Sequence, residues 1–361
     1  LDLVYAGAYL TREAQSLSDY TNYARGVWGT YYQCTGFSGA SVDKCYSPAS
    51  FWDDTNDSTN MSHELRLSSP ADWRMRFVGG LFYEDRTVEA QTDWHYKSVP
   101  ECPDSGVSTG SCFLYLDPRA APKFQSAAGD MNNPNRRASD IGFFNDFTRD
   151  YSQFAAFASV DFDILENLTL TLGTRYYDIE NSMVGANMGS FYCKVYQEEF
   201  GGFNAGASGP CQNAYGTNVS EQEDNNNQAD GFRSRANLTW RITGDALVYA
   251  TWSEGYRPGG FNRGSLCGVA DPVSGEDQWC FPTSYESDDL TNYELGWKTA
   301  FWGGRAQFNG AIYHIDWEDA QTGLFAPELG FPNLQSFLNG PEYEVNGVEF
   351  NFVVAPMDGL T

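Results

Sequence analysis

Hydrophobic and polar residues alternate with a period of two along most of this chain. The clearest stretch runs from Phe232 to Ile242, where one face carries aromatic and aliphatic residues and the other carries three arginines. A period of two places successive side chains on opposite faces of a β-strand. Residues 243–245 then predict a tight turn, and a second strand runs from Ala246 towards Glu254. The pattern therefore predicts a hairpin with one apolar face and one cationic face.

The same alternation recurs through the rest of the chain, and helical periodicity is nearly absent. We predict about ten strands in all, and therefore an all-β fold. The strands outside this hairpin cover residues 1–20, 61–69, 73–86, 148–164, 168–177, 291–301, 305–325 and 343–354, and residues 360–361 begin a further one.

The connections between these strands alternate strictly in length. Short turns of about three to six residues are followed by loops of about fifteen to fifty. A soluble sandwich would explain any single hairpin, but soluble β-proteins rarely separate loop lengths in this way. An outer-membrane barrel does, with short periplasmic turns at one end and long extracellular loops at the other. We therefore predict a transmembrane antiparallel β-barrel with lipid outside and the arginines towards the lumen.

A sheet that spans the membrane cannot keep open edges, because unpaired backbone groups in lipid cost several kcal/mol each. Either about ten to twelve strands close into a small barrel, or the chain is part of a larger one. The strand begun at residue 360 favours the larger barrel. We expect residues 1–361 to be one partial barrel domain, with no plug domain in the chain.

Composition excludes several classes of function. The chain has 48 acidic and 22 basic residues, for a net charge of −26. Phosphate affinity depends on clustered Lys and Arg, so we expect no nucleic-acid partner. No stretch approaches the roughly 18 consecutive apolar residues that a membrane helix requires.

The eight cysteines fall into four pairs that are each close in sequence and lie in the long loops. The pairs are Cys34 with Cys45, Cys102 with Cys112, Cys193 with Cys211, and Cys267 with Cys280. None forms a C-x-x-C motif, which weakens zinc and redox hypotheses. We predict four short-range disulfides and an oxidising compartment, with buried free thiols as the alternative.

Enzymatic motifs are absent from the sequence. The three histidines, His63, His95 and His314, form no H-E-x-x-H motif, and neither G-x-S-x-G nor a P-loop occurs. We therefore expect no catalytic residues, no cofactor and no metal site.

Several segments resemble one family in particular. Residues 249–262, YATWSEGYRPGGFN, resemble the mid-barrel signature of TonB-dependent outer-membrane receptors. Residues 62–70 (SHELRLSSP) with 79–83 (GGLFY) are similar to an earlier hairpin of that family. Residues 290–298 (LTNYELGWK) and 345–350 (VNGVEF) are also similar to segments of that family. The four matches occur in family order over nearly all predicted strands.

The resemblance implies a central portion of a 22-stranded barrel in the bacterial outer membrane, with its loops extracellular. Such receptors take up a scarce ligand, which is a ferric siderophore, haem, cobalamin or oligosaccharide, with energy supplied through TonB. The plug, the TonB box and the last strands of the family are not recognised in this sequence. The implied partners are TonB, a small-molecule or metal-chelate ligand, membrane lipid and lipopolysaccharide. A passive porin or smaller closed barrel is the alternative, followed by a barrel hydrolase.

Residues 256–263 (YRPGGFNR), which we call the rim motif, leave the membrane at the outer rim. This motif and some loop aromatics are the candidate ligand contacts, because aromatic rings stack on ligand rings and arginines bind anionic groups. In the alternative, Gly and Pro shape the exit from the strand and Arg257 pairs with a neighbouring carboxylate. The candidates are Trp52, Tyr256, Arg257, Phe261, Asn262, Arg263 and Trp279.

The lumen arginines have two possible roles. They could guide an anionic ligand, but we predict that they pair with carboxylates of the plug or of the barrel wall, such as Glu64, Glu294 and Glu349. We place Trp94 in the outer aromatic girdle. The arginines concerned are Arg74, Arg76, Arg175, Arg233, Arg235 and Arg241.

Overall fold

The alternating segments form strands throughout the part of the chain that the structure describes. This part of the computed structural model comprises residues 1–21, 33–38, 41–46, 49–96, 141–189, 226–262, 282–326 and 331–357. Its strands are β1 (Asp2–Asp19), β2 (Gln33–Ser38), β3 (Ser41–Tyr46), β4 (Ser50–Ser68), β5 (Met75–Tyr96), β6 (Ile141–Leu165), β7 (Leu168–Gly189), β8 (Asn226–Thr243), β9 (Ala246–Arg257), β10 (Gly260–Phe261), β11 (Ser284–Tyr285), β12 (Asp288–Phe301), β13 (Ala306–Glu318), β14 (Gln321–Ala326), β15 (Phe331–Asn339) and β16 (Tyr343–Val354).

Ten of these strands form one antiparallel sheet in the order β1-β4-β5-β6-β7-β8-β9-β12-β13-β16. The predicted all-β antiparallel fold is confirmed. Turns at 69–74, 166–167, 244–245 and 302–305 join neighbours at one end, which we call the turn end. The hairpins β2–β3, β10–β11 and β14–β15 lie in longer connections at the opposite, loop end. No helix among the described residues is both long and apolar enough to cross a membrane.

The sheet exposes its apolar residues instead of burying them. Trp240 and Ile242 are 47% and 48% exposed, and they alternate with the arginines of β8 as predicted. We call this apolar side the outer face and the opposite side the inner face. Other exposed apolar residues of the outer face are Leu65, Leu67, Met75, Leu81, Tyr83, Phe154, Val160, Phe162, Ile164, Leu172, Phe232, Leu238, Tyr293, Leu295, Phe301, Ile312, Val348, Phe350 and Phe352.

The apolar outer face forms a band of limited height. On β7 it extends from Leu168 to Tyr176, and the next outward residues are Asp178 and Glu180. Nine residues of a tilted strand span about 23 Å, close to the apolar band of an outer-membrane barrel. On the neighbouring strands, too, outward-facing carboxylates lie on the loop-end side of the apolar band. We call these outward residues the acidic collar: Glu13, Asp53, Asp57, Asp85, Glu89, Asp93, Asp150, Asp178, Glu180 and Asp230.

Several predicted strand ends are wrong at the loop end. β4 begins at Ser50, where the sequence predicted loop up to residue 60, because polar segments above the apolar band still pair through their backbones. The predicted strand over 305–325 is two strands. Asp319 has φ of 51° and ends β13, since this left-handed backbone does not continue a strand.

Two inner-face arginines pair with wall carboxylates, as predicted. Arg76 donates to both oxygens of Asp163, at 2.5 and 2.9 Å, and Arg233 forms an ion pair with Asp289. The predicted partners are wrong for two carboxylates: Glu64 lies 3.7 Å from Arg66, and Glu294 accepts a hydrogen bond from a tyrosine.

Trp94 does not face outwards as predicted. It stands directly opposite Trp52 in the register of β4 and β5, and the two rings stack with their centroids 6.1 Å apart. Met61 and Leu65 of β4 are on the outer face. Side chains alternate along the strand, and Trp52 is an odd number of positions from both, so it points to the inner face. Trp94 therefore belongs to the inner face, because opposed residues of an antiparallel pair share a face.

Aromatic rings on the wall lie over glycines of the next strand. Tyr313 faces Gly347 across β13 and β16, and Tyr249 faces Gly296 across β9 and β12. A Cβ atom at either glycine would overlap the tyrosine ring. These glycines are required because the ring occupies the space of a side chain.

We predict that Gly347→Ala destabilises the folded barrel by about 1–3 kcal/mol, because the added methyl group displaces Tyr313. Thermal unfolding in detergent micelles, followed by heat-modifiable gel migration, measures the effect. Gly244→Ala is the control, since nothing lies within 4 Å of its Cβ position. Equal unfolding temperatures for the two variants would contradict the prediction.

Candidate ligand-binding rim

Strand β9 leaves its neighbour β8 near the loop end. The pairing of β8 with β9 reaches Arg235 opposite Ser253 and goes no further. Above this point the amide of Ser234 donates to the carboxylate of Glu254 at 2.8 Å, in place of a ladder bond. The upper part of β9 instead lies in front of β8, on the inner face of the sheet.

Tyr256 shows this departure most directly. By alternation it shares the outward side of β9 with Trp252, yet its ring stacks on the inward-facing Tyr177 of β7, with centroids 3.9 Å apart. Gly231 of β8 lies opposite Tyr177, and its Cβ would sit 3.2 Å from the tyrosine oxygen. The missing side chain lets the Tyr177 ring reach across β8 to β9. Gln153 donates to the Tyr256 hydroxyl at 3.3 Å.

Arg233 ties this tyrosine pair to β12. Its guanidinium carbon lies 5.5 Å from the Tyr177 ring centre and 5.1 Å from that of Tyr256. The same guanidinium forms an ion pair with Asp289. Arg175 is stacked in a similar way on Phe82, at 5.3 Å. The inner face near the rim thus combines aromatic rings with positive charge, an arrangement suited to cation–π contacts.

Asp288 is the centre of the rim. It is 2% exposed and accepts hydrogen bonds from five donors. Three belong to Arg257: its amide at 3.0 Å, its Nε at 2.9 Å and its Nη2. The others are Trp317 Nε1 at 3.0 Å and the Gln321 amide at 3.2 Å. The Arg257 guanidinium also lies 4.7 Å from the Trp317 ring centre.

Asp288 lies well above the apolar band, which ends on β12 near Tyr293. Burial acts to raise the pKa of its carboxyl, but the hydrogen bonds from Arg257, Gln321 and Trp317 outweigh burial and hold the pKa below its usual value. The stabilisation from the ionised group is therefore complete at neutral pH. It is lost only as the pH falls through this lowered pKa.

Asn262 joins three segments of the rim. It is 4% exposed, and its side-chain nitrogen donates to the carbonyls of Pro282 and Phe337, both at 2.7 Å. Its side-chain oxygen accepts from the Phe337 amide at 2.7 Å. Phe261 beside it packs against Phe147 and Met183.

Other amide side chains hold the same hairpins through backbone groups. Gln321 donates to the carbonyls of Pro258 at 2.9 Å and of Glu286 at 3.0 Å. Asn339 accepts from the Glu286 amide at 2.7 Å. Asn227 donates to the Tyr285 carbonyl at 3.1 Å. The rim is therefore a scaffold of side chains that replace missing ladder bonds.

The structure brings four of the candidate ligand contacts together. Tyr256, Arg257, Phe261 and Asn262 all lie in this scaffold, and Arg257 has the carboxylate partner that the structural alternative requires. Trp52 lies apart from them on β4, which is five strands from β9 in the sheet order. Ligand binding by these residues stays a prediction.

Several predicted residues lie outside the described part of the chain. They are Arg263, Trp279, Cys102, Cys112, Cys193, Cys211, Cys267 and Cys280. The strands of the β2–β3 hairpin contain Cys34 and Cys45, which are opposite each other in its register.

Sequence reasoning missed the residues that assemble the rim, notably Asp288, Trp317, Gln321 and Tyr177. The one available signal was the pair Asp288-Asp289 at the start of a predicted strand. This signal did not indicate which arginine each carboxylate would meet, because that depends on the register between β9 and β12.

A comparison with family models identifies the fold. Residues 5–358 match the model described as TonB dependent receptor-like, beta-barrel. The chain belongs to the TonB-dependent receptor family. This family consists of receptors and transporters, and its structural neighbours are outer-membrane β-barrels.

Two solved receptors share the fold at low identity. The ferric yersiniabactin uptake receptor of Yersinia pestis is 14% identical with a TM-score of 0.53, over 87% of this chain and 36% of that one. The siderophore receptor of Acinetobacter baumannii is 13% identical with a TM-score of 0.52, over 99% of this chain and 42% of that one. The chain thus spans well under half the length of either receptor.

We predict that Asp288→Ala loosens the rim of this receptor. Removal of the shared acceptor leaves the Arg257 and Gln321 amides without their partner, at a cost of about 1–3 kcal/mol. Hydrogen–deuterium exchange at residues 257 and 321 should become faster. Glu286→Ala is the control, because Glu286 holds the rim through its backbone groups. Unchanged exchange in Asp288→Ala would contradict this role.

Proposed function

We propose that this chain is part of the wall of a TonB-dependent receptor that takes up a scarce ligand across the bacterial outer membrane. The family match over residues 5–358 carries this proposal. The ligand, a ferric siderophore, haem, cobalamin or oligosaccharide, binds in the extracellular loops and the lumen. We propose one partial barrel domain over residues 1–361, with the plug and TonB box supplied outside it.

The exposed apolar band supports a membrane location. Its height of about 23 Å suits the hydrocarbon layer of an outer membrane. Both of its borders carry aromatic residues, such as Trp240 near the turn end and Tyr293 near the loop end. We propose that the turn end is periplasmic and the loop end extracellular, since short turns and long loops divide in this way.

The chemistry of the rim supports ligand capture rather than catalysis. Stacked tyrosines and guanidinium groups face inward around Tyr177, Tyr256 and Arg233. We propose that the protein is not an enzyme. A barrel hydrolase would require a catalytic Asp, His and Ser cluster, whereas the His95 ring at the loop end stacks flat on Phe51 at 4.5 Å.

A passive porin is the main alternative, and energy dependence separates the two. We predict that cells which carry the complete receptor accumulate radiolabelled ligand from a panel of iron chelates, cobalamin and glycans only while TonB is present. Deletion of TonB should abolish accumulation and leave surface binding intact, because TonB acts after capture. A matched strain without the receptor gives the background. Equal accumulation with and without TonB would support the porin.

We also propose disulfides in the loops. Cys34 and Cys45 stand opposite each other in the β2–β3 hairpin. Opposed residues of an antiparallel pair have Cα atoms about 4.5–5.5 Å apart, within the range that a disulfide requires. The location beyond the outer membrane is an oxidising one.

Lipopolysaccharide is the proposed partner of the acidic collar. The collar has carboxylates directly opposite one another, such as Asp57 with Glu89 and Asp178 with Asp230. Like charges in this position destabilise a sheet unless cations screen them. We propose that divalent cations bridge the collar to lipopolysaccharide phosphates.

We predict that Mg²⁺ raises the unfolding temperature of the receptor in bilayers that contain lipopolysaccharide. The double variant Asp57→Asn, Glu89→Gln should respond less, since it removes one opposed carboxylate pair. Differential scanning calorimetry with Mg²⁺ or with EDTA measures the shift. Glu349→Gln on the inner face serves as the control. The same Mg²⁺ response in the double variant would exclude this site of bridging.

A further inference from the structure

A second group of aromatic and polar residues lies on the inner face near the loop end, on the β1 side of the rim. It occupies two adjacent rows across β1, β4, β5 and β6. One row contains Ser18, Trp52 and Trp94, and the next contains Ser16, Asp54, Thr92 and Asn145. We call these two rows the tryptophan shelf.

The indole rings form its apolar surface. Trp52 and Trp94 lie nearly parallel, with an interplanar angle of 16°. On the β1 side, the residues opposite Trp52 and Asp54 are serines. These side chains are short, and the Trp52 ring is only partly buried. The exposed part of a flat ring can accept the face of another ring.

Asp54 provides a preorganised acceptor next to these rings. One of its oxygens accepts from the Thr92 hydroxyl at 2.7 Å, and the other accepts from the Asn56 side-chain amide. These bonds fix the orientation of the carboxylate. A carboxylate has about four lone-pair positions, so both oxygens retain capacity for further donors.

Asn145 is the observation that points to a ligand. The residue is 8% exposed, and its Oδ1 is buried with no hydrogen-bond partner among the described residues. It stands next to Thr92 in the same row as Asp54. A buried acceptor without a donor costs about 1–3 kcal/mol, so a donor from a bound molecule would stabilise this site.

We propose that the tryptophan shelf binds an oligosaccharide. The C–H face of a pyranose ring would pack on Trp52, and its hydroxyls would donate to Asp54 and Asn145. This inference rests on the proposed function and assigns a substrate class to this part of the lumen. Trp52 lies three strands, about 14 Å along the sheet, from Tyr177 of the rim.

The charge of the shelf favours a neutral ligand over an anionic one. Asp54 brings a negative charge beside the rings, whereas Arg233 brings a positive one to the tyrosine pair of the rim. Anionic chelates would meet repulsion at Asp54. Sugar hydroxyls are neutral donors that match carboxylate and amide acceptors.

Titration calorimetry of the complete receptor in detergent micelles tests the proposal. The probes are maltohexaose, cellohexaose, xylohexaose and laminarihexaose, each in the presence of EDTA. We expect at least one to bind, and Trp52→Ala and Asp54→Asn each to weaken its binding about tenfold or more. Trp52→Tyr should retain most of the affinity, because it keeps an aromatic face. Trp240→Ala on the outer face is the control and should bind as the wild type does.

The remaining outcomes overturn the proposal. They are no binding of any hexaose, equal binding by Trp52→Ala and the wild type in its folded form, or binding that requires Ca²⁺, which would make the shelf a cation site. Heat-modifiable gel migration establishes folding of each variant. TonB-dependent uptake of another ligand together with no hexaose binding would overturn this inference and leave the proposed function in place.

Discussion

The antiparallel backbone ladder is the interaction on which the rest of this structure depends. Every strand of the main sheet between the edge strands β1 and β16 pairs with a neighbour on both sides. The backbone polar groups in these ladders are therefore satisfied without help from side chains. Both faces are then free to take the polarity of their surroundings. The outer face exposes Leu, Phe and Trp side chains, and the inner face carries Arg76 and Asp163. The tryptophan shelf reaches β6 and the rim tyrosine Tyr177 lies on the next strand, β7, so the two surfaces adjoin on one wall.

The rim forms where this ladder ends. Once β9 separates from β8, the released backbone groups require other partners, and side-chain amides and carboxylates provide them. Asp288 satisfies five donors and Asn262 joins three segments. The shape of this part of the loop end thus depends on polar side chains together with the apolar clusters that include Phe261 and Tyr256. For the same reason, Arg257 serves the scaffold whether or not a ligand reaches it.

The sequence by itself determined the class of fold and the orientation of most side chains. A period of two has only one structural meaning over a long strand, so the alternation alone assigns Trp240 and Arg233 to opposite faces. The four family-like segments likewise indicated the receptor family. Strand ends at the loop end could not be predicted, because β4 from Asp53 to Asn60 is polar on both faces and carries no apolar signal.

Only the tertiary structure decided what the rim and the shelf contain. Tyr256 departs from the alternation of its own strand because β9 crosses in front of β8. Asn145 meets Thr92, and Asp288 meets Arg257, through registers between strands that long loops separate. Such registers follow from backbone pairing over the whole sheet. No local pattern of residues encodes them, so these contacts were beyond the reach of the sequence.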